Sequence, residues 1–113
     1  MSTYHDEYPH SLTQREAAER LLALTDYWDA QYNTRTEWNG DTGTICGRVL
    51  GLSFRARFDV EPDRLHGELQ VSFLAVRMGG RQYLKRKLDH YLNPAIPLDD
   101  LRAVLRQLTP VRA

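Results

Sequence analysis

From Leu50 to Glu61 the chain alternates without a break, with Leu50, Leu52, Phe54, Ala56, Phe58 and Val60 set against Gly51, Ser53, Arg55, Arg57, Asp59 and Glu61. A period of two sends successive side chains to opposite faces, so this run predicts an antiparallel strand with one apolar and one solvated side. Pro62-Asp63 supplies turn chemistry. A second alternating run follows, in which Leu65, Gly67, Leu69, Val71 and Phe73 oppose His66, Glu68, Gln70 and Ser72. The two runs pair as a hairpin, and whatever fold the chain adopts must cover their single apolar face.

The flanking segments are suited to that task. Ser11 with Gln14, or Thr13 with Glu16, forms a capping box, and Ala17, Leu21, Leu24, Trp28 and Tyr32 then recur every three or four residues, predicting an amphipathic helix of about five turns. Asn39-Gly40 signals a type I′ turn between a short strand near residues 35–38 and another near 42–49. Gly79-Gly80 separates this sheet from a second helix over about 81–92, which Asn93-Pro94 ends. A last stripe, Leu98, Leu101, Leu105 and Leu108, predicts a short helix with Asp99 and Asp100 in its first turn. The predicted architecture is α+β: a four-stranded antiparallel meander with an N-terminal helix and one or two C-terminal helices packed on one face. With 113 residues there is room for one core. Residues 1–10 are expected to be a flexible N-terminal tail, 11–93 a single α+β domain and 94–113 a C-terminal helical extension.

Chemistry-bearing motifs are sparse. Cys46 is the only cysteine, which excludes an intramolecular disulfide and fits a reducing compartment; between Gly43 and Gly47 it is expected to pack. No Gly-x-Ser-x-Gly elbow is present. His5, His10, His66 and His90 are scattered, and His5, Asp6 and His10 would meet an ion only if the tail folded back. Gly40, Gly43 and Gly47 are not followed by Lys-Ser or Lys-Thr, so no phosphate loop is predicted. Neither a catalytic residue nor a cofactor nor a metal is expected. There is no apolar run of the length a transmembrane span needs and no targeting signal, which points to the cytoplasm.

Charge is balanced overall, fifteen bases against fifteen acids, which argues against a specific nucleic-acid partner. It is nevertheless polarised: residues 1–63 hold six bases and eleven acids, residues 64–113 nine bases and four acids. Arg77, Arg81, Lys85, Arg86 and Lys87 form a basic strip with no acid among them, suited to an anionic surface. Of the aromatic residues Tyr27, Trp28, Tyr32, Trp38, Tyr83 and Tyr91, periodicity assigns Trp28 and Tyr91 to the core, while Trp38 beside its turn either caps the core or is displayed.

Three segments carry a family resemblance: His10 to Ala17 (HSLTQREA) opening the first helix, Trp38 to Asp41 (WNGD) at the first hairpin, and Gly80 to Leu92 (GRQYLKRKLDHYL) as the closing helix. Over about residues 8–93 the chain resembles the polyhydroxyalkanoic acid system family, small bacterial proteins encoded beside genes for polyester storage granules. The resemblance implies an accessory role in granule formation and supplies no catalytic residues; the extension after Pro94 lies outside it.

The resulting expectation is a non-enzymatic cytoplasmic interaction protein associated with polyhydroxyalkanoate granules. Its partner would be the granule surface or another protein, met through the basic strip and the apolar stripe of the last helix, which could equally bury itself in a homodimer. The alternative is a small-molecule or lipid carrier whose cavity, lined by Leu52, Phe54, Leu69 and Val71, lies between the first helix and the sheet.

Overall fold

The computed structural model describes residues 2–49 and 51–108; the side chains of residues 2, 49, 73 and 105–108, together with Met1, Leu50 and residues 109–113, lie outside that description. The elements run β1 (Ser2–Pro9), α1 (Gln14–Tyr32), β2 (Arg35–Asn39), β3 (Thr42–Val49), β4 (Leu52–Val60), β5 (Arg64–Val71), α2 (Phe73–Arg77), α3 (Gly80–Tyr91) and α4 (Leu98–Leu108). The strands form one antiparallel sheet in the order β1-β5-β4-β3-β2.

The α+β class is as predicted, but the sheet has five strands instead of four. The added strand comes from the segment expected to be a tail. Ser2 to Pro9 pairs with β5 along its whole length, Tyr4 opposite Leu69 and Tyr8 opposite Leu65. Alternation is present in β1 but disguised, because its inward positions are two tyrosines flanking Asp6. Tyr8 is buried and Tyr4 half-buried.

One row across the sheet's inner face shows how the core is filled. Trp38, Gly43, Phe58, Gly67 and Asp6 lie opposite one another on β2, β3, β4, β5 and β1. The two glycines beside Phe58 leave room for large neighbours, and Trp28 of α1 stacks over the Phe58 ring with centroids 6.2 Å apart. Trp38 caps the core: its ring lies against Gly43 and its Nε1 donates to Thr25 Oγ1 at 3.2 Å.

Helix α1 starts as the capping pattern predicts. Thr13 Oγ1 accepts from the Glu16 backbone N–H at 3.1 Å, and the helix ends at Asn33, in the left-handed region with φ 57°. The next turn differs from the type I′ expectation. Asn39 is the last residue of β2, and the two-residue loop is Gly40-Asp41 with positive φ only at Gly40, the Gly-first form of a tight hairpin. Alternation also carries β5 too far. Ser72 ends it by capping α2, its Oγ accepting from the Ala75 N–H at 3.2 Å. At the far end, α4 packs on α1 with Leu101 buried. Leu98 is half-buried, and the Leu105 and Leu108 side chains of the predicted stripe lie outside the described residues.

Candidate functional site

Beyond the α1 contact, the inner face of the sheet is not filled to its end. Past the Trp28–Phe58 stack, α2 and α3 stand off from the strands and enclose a cavity of about 740 Å³. Leu52, Phe54, Leu69 and Val71 of β4 and β5 line its floor, but the cavity is not the expected one between α1 and the sheet alone, because α1 bounds it on one side and residues 75–86 of α2 and α3 bound the rest. Leu69 and Val71 are buried, whereas Leu52 and Phe54 are half-buried because they lie toward the mouth. Trp28 and Tyr32 of α1 form one wall and Ala75 of α2 with Met78 at its C-cap another.

Helix α3 forms the remaining wall and is the polar one. Gly79, Gln82, Tyr83 and Arg86 line the cavity, a spacing of i, i+3, i+4 and i+7 that puts them on one helix face. Gly79 has φ 90°, a conformation that glycine takes without strain as the chain turns from α2 into α3. Where α1 meets α3, Trp28 Nε1 donates to the Tyr83 hydroxyl at 3.2 Å, and the Tyr32 and Tyr83 hydroxyls are 3.4 Å apart. Burial, and then the Tyr32 hydrogen bond, push the Tyr83 phenol well above the ordinary tyrosine range, so it stays protonated.

The basic strip does not form one row. Arg81 turns toward β1, where it donates to both Asp6 carboxylate oxygens at 2.8 and 2.9 Å and lies 4.7 Å over the Tyr4 ring. Lys85 pairs with Asp89 at 3.0 Å, one turn on. Lys87 lies 4.5 Å over the Tyr27 ring of α1. Arg86 lines the apolar cavity instead, and Arg77 is exposed on α2. Sequence spacing alone missed this division because three partners, Asp6, Tyr4 and Tyr27, come from distant segments.

Leu74 and Met78 also escaped the sequence reading. They are 55% and 60% exposed, one helical turn apart on the shoulder where α2 leads into α3. They fall between the alternating run that ends at Phe73 and Gly79-Gly80, a stretch for which the sequence pattern assigned no element.

The remaining candidates are spread out. Cys46 is exposed, contrary to its expected packing role, because alternation along β3 turns Ile45 inward and Cys46 to the solvated face. His5 and Asp6 are on opposite faces of β1, with Asp6 committed to Arg81, while His10 bridges the Leu12 N–H and the Glu61 carbonyl. Among the described residues no three histidine, cysteine or acidic side chains cluster as metal ligands would, and no helix is long and apolar enough to cross a membrane.

A family model described as "Putative polyhydroxyalkanoic acid system protein" matches residues 6–93, from within β1 to just past α3. No curated protein matches the chain.

Proposed function

The chain belongs to the polyhydroxyalkanoic acid system family, and from that premise we propose that it is a non-enzymatic cytoplasmic accessory protein that works by binding at the surface of polyhydroxyalkanoate granules. The observation that carries this reading is the exposed pair Leu74 and Met78. Two large apolar side chains one turn apart, Leu74 on α2 and Met78 at its C-cap, each more than half exposed, are favoured at an apolar surface. Arg77 between them and Arg86 at the cavity mouth add positive charge to the same shoulder, which suits a surface carrying anionic head groups.

Cosedimentation of the purified chain with isolated granules, and with vesicles containing anionic phospholipid, tests this. The expected result is binding that weakens with salt and drops in L74S/M78S while the circular dichroism spectrum is unchanged. An unaltered bound fraction in that variant would overturn the reading.

A further inference from the structure

The cavity beneath this shoulder has walls of two chemistries. Its floor is carbon, supplied by β4 and β5, whereas the α3 wall presents Gln82, Tyr83 and Arg86. At about 740 Å³ it lies within the range of roughly 300–1,000 Å³ usual for small-molecule sites. Tyr83 already accepts a hydrogen bond from Trp28, and its hydroxyl lies 3.4 Å from that of Tyr32. Each phenol has one proton to give, so whichever donates across that contact, the other proton is available to an incoming oxygen.

We propose that this cavity binds a single linear acyl chain of medium length that ends in a carboxylate. The methylenes lie along the Leu52, Phe54, Leu69 and Val71 floor, and the carboxylate is drawn to Arg86 at the rim. The spare phenol proton of the Tyr32–Tyr83 pair donates to an oxygen of the same head. A flat hydrocarbon would leave Arg86 and the phenol without a partner, and a small polar metabolite would leave the floor uncovered; an amphiphile matches both walls. This inference goes beyond granule contact and does not rest on it, since it concerns the strand floor and the α3 wall of the cavity, although Met78 and Arg86 border both the cavity and the shoulder.

Isothermal titration calorimetry of the full chain with octanoate, decanoate, dodecanoate and dodecanol tests it. The expected result is saturable binding of the acids, tightening about fourfold per added methylene until the floor is covered. R86Q should weaken dodecanoate about tenfold and leave dodecanol unchanged, as expected for one lost charge-assisted contact. L52W, which places an indole at the mouth, should weaken acid and alcohol alike. The absence of saturable binding by any of the acids would overturn the proposal, as would dodecanoate affinity unchanged in both variants. Leu74 does not line the cavity, so granule sedimentation of L74S alone reads a different surface, and failure of one proposal is distinguishable from failure of the other.

Discussion

Arg81 and Asp6 join the first strand to the third helix through two hydrogen bonds from one guanidinium nitrogen, 2.8 and 2.9 Å long, across 75 residues of sequence. The two side chains are 41% and 33% exposed, so water screens the attraction. D6N and R81Q are each expected to cost less than about 1 kcal/mol in denaturant unfolding. The double variant should cost less than the sum of the two, with a coupling that shrinks as salt is added.

Gly43 is where β3 passes beneath the Trp38 ring. A Cβ built there would be 2.7 to 2.8 Å from three ring atoms, and the indole is tethered to Thr25. G43A should therefore destabilise by about 1–3 kcal/mol, the usual cost of an overpacked core site. W38L removes the obstructing ring, so G43A introduced into W38L should cost measurably less than in the native chain when the two melting-temperature differences are compared.

Arg20 is a buried base whose acceptors are backbone carbonyls. Its guanidinium donates to the Tyr91 and Asn93 oxygens at 3.1 and 2.9 Å, and so neutralises the negative end of α3. R20M keeps the aliphatic stem but removes the donor to the Tyr91 carbonyl, while the Asn93 carbonyl keeps the Ile96 N–H, at a cost of about 2 kcal/mol. Amide exchange should quicken in the last turn of α3 more than in β4.

Alkaline pH should unfold the protein through its tyrosines. Burial, reinforced by the Asp6 carboxylate, raises the Tyr8 phenol from 10.0 to about 12, and burial also raises Tyr83 and Tyr91. The native state holds these protons after the unfolded chain has lost them. The stability they contribute is complete below pH 10 and declines as pH rises toward 12. Y8F should make the decline less steep, as followed by chemical denaturation at a series of pH values alongside phenolate absorbance.

Much of this fold is legible in the sequence wherever one periodicity dominates. β4 and β5 are readable because apolar or small positions alternate with mostly polar ones, and α1 because Thr13 and Glu16 mark its start. The same alternation identified the cavity floor, since Leu52, Phe54, Leu69 and Val71 fall on one face at one end of two paired strands. β1 was hidden because an edge strand facing α3 uses amphipathic residues inward, two tyrosines around an ion-paired acid, and so resembles a polar tail. α2 was hidden because five residues are too few for a helical period to be recognised. The polar wall of the cavity was out of reach for another reason: that Gln82, Tyr83 and Arg86 face the floor depends on how α3 is docked, which is fixed by contacts with β1 and α1 that no local pattern records.

The pairing of β1 with β5 has a consequence for biosynthesis. Residues 2–9 leave the ribosome before their hydrogen-bonding partners at 64–71, which emerge only after the central hairpins have been made. The meander from β2 to β5 can assemble through local turns while β1 waits as an unsatisfied edge, and closure by this long-range pairing is expected to be the slow step of folding. During that interval the open side of β5 is a template for any passing strand, so the newborn chain is most exposed to aggregation just before β1 docks.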